Sequence, residues 1–207
     1  MQQSEASNIQ GENTLSRIIK EAIRLFSAKG YHGTSIDDIT QAAGITKGAF
    51  YWHFKSKEVL LRKFLEEWET RFLDGLIRAT EGVKGGFLVK LQKVNRYTAA
   101  FGFYNRELCV SFTTLSAELI GGGHAIEKYF RSVYGKYQNF LIKIINEGKR
   151  ENVFKKELDS IHASLIFMAF HDGLLLQWSM NRDNIDGEAF LSTYRAILTD
   201  GILVRDR

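Results

Sequence analysis

Apolar residues recur every three or four positions along most of the chain, which is the spacing of one face of an α-helix. Between Leu15 and Phe26 six apolar residues follow this spacing, with charged residues between them. Between Leu60 and Leu76 five apolar residues lie four positions apart and form one stripe. No segment alternates apolar and polar residues for long enough to predict a β-strand, so the pattern predicts an all-α protein.

Capping residues and glycines set the expected ends of the helices. Gly30 and Gly44 are candidate helix ends, and Ile36, Ile39 and Ala42 are expected on the buried face of the second helix. The candidate N-caps are Thr34 or Ser35, Thr46 and Ser56. The predicted helices span about 15–29, 36–43, 46–53, 57–80, 87–103, 105–120, 124–150, 160–181 and 187–204.

The chain divides into three parts by this pattern. Residues 1–13 are polar and predict a flexible tail, residues 14–56 hold short helices, and residues 57–207 hold longer, aromatic-rich ones. No apolar signal segment or membrane-spanning run is present, so we expect a cytoplasmic protein. The formal net charge of +4 mildly favours an anionic partner.

The segment from Thr34 to Lys57 carries the strongest functional signal. Two short helices joined by the turn Ala43-Gly44-Ile45 predict a helix-turn-helix, whose second helix can enter the major groove of DNA. That helix opens with Thr46, Lys47, Gly48 and Ala49, where one lysine can donate to guanine and small residues allow close approach.

The same segment resembles the DNA-binding domain of the TetR/AcrR family of transcriptional regulators. The match runs over residues 14–60 and is carried by AIRLFSAKGYHG at 22–33, by AAGI at 42–45 and by KGAFYWHFKSKEVL at 47–60. The resemblance implies an N-terminal three-helix DNA-binding domain followed by a helical ligand-binding and dimerisation domain.

The resemblance also assigns roles to single residues. Lys47, Gly48 and Tyr51 match positions of base or near-base contact. Trp52 lies on the same helix, and packing into the core is an open alternative for its side chain. The residues that match phosphate-contact positions are Thr34, Ser35, Tyr51, His53 and Lys57.

Beyond residue 57 the resemblance implies an apolar effector pocket. The aromatic residues there suit a small hydrophobic or aromatic ligand, although most of them are expected to form core. The candidate pocket residues are Trp68, Phe101, Asn105, Arg106, Phe112, Phe130, Tyr134, Phe167, Phe170 and His171.

The segment 161–180 is too apolar for a one-sided surface helix, so it is expected either in a dimer interface or centrally in the core. A homodimer interface built with residues 190–203 matches the mode of association that the family implies. Asp172 needs a partner if buried, and His171 and Arg195 are candidates. The candidate interface residues are Leu165, Asp172, Leu175, Leu176, Trp178, Tyr194 and Leu198.

The sequence therefore predicts a ligand-responsive repressor that binds a palindromic double-stranded operator as a dimer. Control by a protein partner or by no ligand, and activation in place of repression, stay open as alternatives. An enzyme is not expected, because no GxSxG, P-loop or GxGxxG motif is present. With one cysteine and neither HxxxH nor CxxC, we expect no metal site and no cofactor.

Overall fold

A computed structural model describes residues 2–123 and 125–181 and seven single positions between 186 and 197. Side chains are described from Thr14 onward, except that of Ser179. In this part of the chain the regular structure is helical, as predicted. The α-helices are α1 (Gln2–Lys29), α2 (Ile36–Ala43), α3 (Lys47–His53), α4 (Lys57–Trp68), α5 (Gly75–Thr80), α6 (Phe87–Tyr104), α7 (Arg106–Leu119), α8 (Ala125–Arg150) and α9 (Ser160–Met180). The helix predicted at 187–204 lies outside the continuously described residues.

The first helix begins earlier than the periodicity predicted. Helix α1 starts at Gln2, within the polar segment that was expected to be a flexible tail. That segment lacks apolar periodicity, but it also lacks proline and contains Gln, Glu and Ala, which favour helix. Polarity alone therefore did not mark the start of the helix.

The predicted caps are confirmed. The Ser35 hydroxyl accepts a hydrogen bond from the Asp38 amide, and the Asp38 carboxylate accepts one from the Ser35 amide, which together form a capping box. Thr46 and Ser56 cap α3 and α4 in the same way through the amides three residues on. Gly44 ends α2 with a φ of 60°, a left-handed conformation that suits glycine.

The helix predicted over 57–80 is interrupted by a π-helical turn at Glu69–Asp74. An α-helix turns about 40° too far over four residues to keep a strict four-residue repeat on one side. The π-helical turn winds more slowly, so Phe72 and Leu76 return to the buried side that Phe64 and Trp68 occupy. All five residues of the predicted stripe are buried.

The chain forms two compact units. Unit 1 comprises residues 1–69 and 107–131, and unit 2 comprises residues 70–106 and 132–207. The division therefore does not fall at residue 57, and unit 1 takes in nearly all of α7 with the start of α8. Fully buried side chains such as Phe26, Phe64 and Leu115 build the core of unit 1, and Phe87 and Phe154 belong to the core of unit 2.

Candidate nucleic-acid interface

The turn between α2 and α3 is fixed by bonds from both sides. The Gly44 amide donates to the Gln41 and Thr40 carbonyls and closes the end of α2. From α1, the Arg17 guanidinium donates to the Ala43 carbonyl and, at 3.2 Å, to the Gly44 carbonyl. A cation at the end of a helix satisfies carbonyls that have no partner within it. The orientation of α3 is therefore tied to α1.

One side of α3 is anchored in the core. Phe50 and Phe54, the residue that follows the helix, are buried, with ring centroids 5.8 Å apart. Because these two residues fix the rotation of the helix, the opposite side must face solvent. Ala49 and His53 lie half-buried between the two sides, and Thr46 is exposed while its hydroxyl accepts the Ala49 amide at 3.2 Å.

The exposed side of α3 is formed by Lys47, Gly48, Tyr51 and Trp52, which we call the recognition face. Tyr51 is 52% exposed and Trp52 is 86% exposed. The alternative that Trp52 packs into the core is therefore wrong. Spacing could not exclude it, since residues 50, 52 and 54 also fit an alternating apolar pattern. The recognition face offers a cation, a flat backbone surface and two large aromatic groups to a partner.

The cation of the recognition face has a partner in α2. The Lys47 ammonium lies 2.7 Å from a carboxylate oxygen of Asp37, and both side chains are exposed. This hydrogen bond and the charge of Asp37 raise the pKa of Lys47 above its usual value. The pair could not be predicted from local sequence, because the two residues lie on different helices.

Two residues at phosphate-contact positions differ in accessibility. Ser35 is exposed at the start of α2. Thr34, in contrast, is fully buried, and its hydroxyl donates to the Gly30 carbonyl at 2.7 Å. The expectation that the Thr34 side chain contacts phosphate is therefore corrected: its hydroxyl closes the α1–α2 turn instead.

Lys57 is bonded inside the protein. Its ammonium donates to the Tyr31 carbonyl at 2.6 Å and to the Thr34 carbonyl at 2.7 Å, and it lies 4.1 Å from the centre of the Tyr31 ring. Burial lowers the pKa of Lys57 below its usual value. An ammonium has three N–H donors, so one remains for a phosphate while two hold the turn.

A carboxylate from α7 holds the same turn from the other side. The two oxygens of Glu118 accept hydrogen bonds from the Tyr31 amide at 2.7 Å and the His32 amide at 2.8 Å. Nearer the start of α7, the buried Ser111 hydroxyl donates to the Ile23 carbonyl of α1 at 3.0 Å. Sequence reasoning missed Glu118 and Ser111, and no local signal could reveal contacts across 86 to 88 residues.

The predicted pocket residues divide between the two units. In unit 1 the Trp68 ring stacks on the Phe112 ring with centroids 3.8 Å apart, and Phe112 also contacts Phe130 at 5.6 Å. In unit 2 the Phe101 ring lies 5.1 Å from the Phe72 ring. Two further pocket candidates, Phe167 and Phe170 on α9, are both half-buried.

Two of the polar pocket candidates, Asn105 and His171, have hydrogen-bond partners within unit 2. Asn105 accepts a hydrogen bond from the Arg71 guanidinium, and Arg106 is the first residue of α7. The ring Nδ1 of His171 lies 2.6 Å from the Tyr137 hydroxyl, and burial lowers the pKa of His171 to about 4.

The Tyr134 hydroxyl donates a hydrogen bond to the Asp172 carboxylate at 3.4 Å. Tyr134 was not among the predicted partners of Asp172, which were His171 and Arg195. Among the interface candidates on α9, Leu165 and Leu176 are exposed, while Asp172, Leu175 and Trp178 are half-buried. Arg195, Tyr194 and Leu198 lie outside the described residues.

The described residues show neither a metal site nor a membrane-spanning helix. They contain no group of three or more His, Cys, Asp or Glu side chains placed to hold a metal ion. None of their helices combines the length and the apolar character that crossing a lipid bilayer requires.

Comparison with known proteins agrees with this architecture. Residues 18–64 match the family model for bacterial regulatory proteins of the tetR family. The chain is 30% identical over 179 residues to the uncharacterized HTH-type transcriptional regulator YerO of Bacillus subtilis, covering 84% of this chain but 61% of that protein.

Solved structures share the fold over almost the whole chain. The MbdR regulator from Azoarcus sp. CIB is 28% identical, with a TM-score of 0.82 over 92% of this chain and 100% of its own. The transcriptional regulator FadR from Bacillus subtilis, solved in complex with stearoyl-CoA, is 24% identical, with a TM-score of 0.75 over 90% of this chain and 98% of its own. These proteins carry the names of regulators and not of enzymes. The helix-turn-helix at residues 36–53, the family match across it and the shared fold together indicate a transcriptional regulator of the TetR/AcrR family.

Proposed function

We propose that this protein is a repressor that binds a near-palindromic operator as a homodimer and leaves it when a small hydrophobic or aromatic effector binds. The observation that carries the DNA-binding part is the recognition face of α3. It is exposed, it holds a lysine at the start of the helix, and Phe50 and Phe54 anchor its reverse side in the core. DNA binding also places the protein in the cytoplasm with the chromosome.

The homodimer proposal is supported by the apolar side chains of α9 that are exposed in the single chain. Ile161 is 57% exposed, Leu165 47%, Ile166 65% and Met180 69%. An apolar surface of this kind marks an interaction site on a protein. Two copies of α9 would cover each other and place two recognition faces on successive half-sites.

The effector proposal rests on the family resemblance and on the aromatic character of the candidate residues. The FadR structure holds stearoyl-CoA, which is an acyl chain on a polar carrier. By analogy, we propose that fatty acyl groups or aromatic acids are the ligand classes to test first. A ligand releases DNA only if it binds the released state better than the DNA-bound state.

The test begins with selection of genomic fragments by the purified full chain, read as a gel shift at two salt concentrations. If each subunit neutralises about four phosphates, log affinity should fall with log salt at a slope near −7. The Lys47→Ala variant should bind DNA with less preference for particular bases. The control variant Lys93→Ala removes the same charge from an exposed position in unit 2 and should keep the base preference of the wild type. An equal loss of DNA affinity in both variants, or the failure of the selection to yield a specific site, would contradict the proposal that α3 recognises a DNA sequence.

The dimer and the effector need separate measurements. Sedimentation should give a dimer, which Leu165→Glu weakens and the equally charged change Gln92→Glu on α6 does not. Release of the selected site should follow addition of stearoyl-CoA or an aromatic acid and not of free CoA. If mass spectrometry of the denatured protein finds no ligand and no compound of either class releases DNA, control by a small hydrophobic effector is wrong.

A further inference from the structure

The ion pair between Lys47 and Asp37 joins the recognition face to the preceding helix. The distance of 2.7 Å is that of a charge-assisted hydrogen bond, and the side chains are 62% and 65% exposed. Both groups can therefore reach a partner that docks on α3 without any rearrangement of the core.

Asp37 and its neighbour Asp38 serve different purposes in the first turn of α2. The Asp38 carboxylate closes the capping box with the Ser35 amide at 2.8 Å and also meets the Lys29 ammonium at 3.4 Å. Asp37 is not needed for that cap, and its carboxylate extends to α3 instead. An acidic group beside a surface that binds polyanionic DNA opposes binding, so its presence calls for a compensating role.

We propose that Asp37 is a specificity-determining residue, which together with Lys47 reads one G·C base pair in each half-site and weakens binding to other sequences. The inference rests on the proposed binding of α3 in the major groove. The exposed edge of a G·C pair presents the N7 and O6 acceptors of guanine next to the N4 amino donor of cytosine. A paired ammonium and carboxylate are complementary to that edge, since lysine donates to guanine and aspartate accepts from cytosine.

The same pair has no match on a phosphate backbone. If Lys47 leaves Asp37 for a phosphate, the carboxylate is left close to further negative charge with no cation beside it. A phosphate contact by Lys47 on random DNA therefore requires the pair to break, whereas binding to a G·C pair keeps the two groups together. Asp37 thus lowers affinity for random DNA more than affinity for the operator.

The experiment is a double-mutant cycle measured on two duplexes of equal length, the selected operator and a random sequence. Asp37→Asn should tighten binding to the random duplex by up to about fivefold per recognition helix, the upper range for an exposed ion pair. The salt slope on that duplex should steepen by about 0.9 for each Lys47 that turns to a phosphate. An exchange of the G·C pair should cost the wild type about 5- to 150-fold and Asp37→Asn less.

The cycle separates this role from bulk charge. In the Lys47→Gln background, Asp37→Asn should tighten random binding less and should leave the salt slope unchanged, because the released cation is gone. Glu81→Gln removes one exposed negative charge from unit 2 and should change neither duplex affinity. Circular dichroism melting of each variant establishes that α2 and α3 remain folded.

Three results would overturn the proposal. They are equal tightening on both duplexes, persistence of the full tightening and of the steepened salt slope in the Lys47→Gln background, and unchanged discrimination at every G·C pair of the operator. Failure of the proposed function is a different result, visible in the wild type alone as equal affinity for the two duplexes.

Discussion

Two glycines inside α8, Gly135 and Gly148, should respond in opposite ways to alanine. A Cβ atom added at Gly135 meets nothing within 4 Å. A Cβ atom added at Gly148 would lie 2.6 Å from one ring carbon of Phe154 and 2.6 Å from one of Phe87. The two positions share one helix and one unit, so each serves as the control for the other.

The magnitudes follow from helix propensity and packing. Alanine in a helix interior is favoured over glycine by about 0.8–1.0 kcal/mol, and Gly135→Ala should gain most of this in free energy of unfolding. At Gly148 the gain is smaller, because α8 ends two residues later at Arg150. Carbon atoms in contact prefer about 3.5–4.0 Å, so both rings would have to move by roughly 1 Å.

Those rings have little freedom to move. Phe87 and Phe154 are each 1% exposed and pack edge to face, with centroids 5.1 Å apart and planes at 82°. Overpacking of a core costs about 1–3 kcal/mol, which exceeds the helix gain. Gly148→Ala should therefore lose about 1–2 kcal/mol of the free energy of unfolding, after subtraction of the propensity gain.

Urea unfolding at equal protein concentration measures both variants, and fixed concentration matters because association adds stability. The melting temperatures should differ in the same order, by about 2–4 °C for each kcal/mol in a chain of this length. If both alanine substitutions stabilise the protein equally, Phe87 and Phe154 do not pack tightly against α8 at Gly148, and the predicted overpacking is wrong.

Two further predictions concern the α1–α2 turn and the buried histidine. Glu118→Ala should speed hydrogen exchange at the Tyr31 and His32 amides by roughly fivefold each, as expected for the loss of one hydrogen bond of about 1 kcal/mol, and Glu107→Ala on the same helix should not; unchanged exchange would show that Glu118 does not hold the turn. The pKa of His171 is about 4 in the folded chain and about 6.5 when unfolded, so unfolding takes up a proton as the pH falls. The free energy of unfolding should drop by about 2 kcal/mol between pH 7 and pH 5 from this group, in urea titrations, and an equal drop in His171→Gln would contradict the assignment.

The helix-turn-helix could be predicted in detail because its determinants are local. Each N-cap bonds to an amide three residues away, and Gly44 needs only its own φ to end α2. Of the three residues predicted on the buried face of α2, Ile39 is buried, Ile36 is half-buried and Ala42 is exposed. Ala43 is buried in place of Ala42. Both alanines fit a helical spacing, and only the packing against α1 distinguishes them.

The remaining features depend on contacts between distant segments. Thr34 is buried at the turn that Lys57 and Glu118 hold through hydrogen bonds. Trp52 is exposed because Phe50 and Phe54 occupy the core positions. The π-helical turn at Glu69–Asp74 lies inside a stripe that reads as one continuous helix. Periodicity reports which residues are apolar, but not which of several apolar neighbours is buried.

Unit 1 is built from two separate stretches of the chain, and this has a consequence for the design of hybrid regulators that combine units of different proteins. A single crossover at residue 57 would transplant α1 to α3 without residues 107–131, and so without Ser111 and Glu118. The Ile23 carbonyl and the Tyr31 and His32 amides would then lose the partners that α7 supplies. A hybrid that keeps these bonds and exchanges unit 2 needs three junctions, near Glu69, Glu107 and Arg131, so that residues 70–106 and 132–207 are exchanged together. The transferable DNA-reading module of this protein is therefore longer than its helix-turn-helix and is written in two separate stretches of the gene.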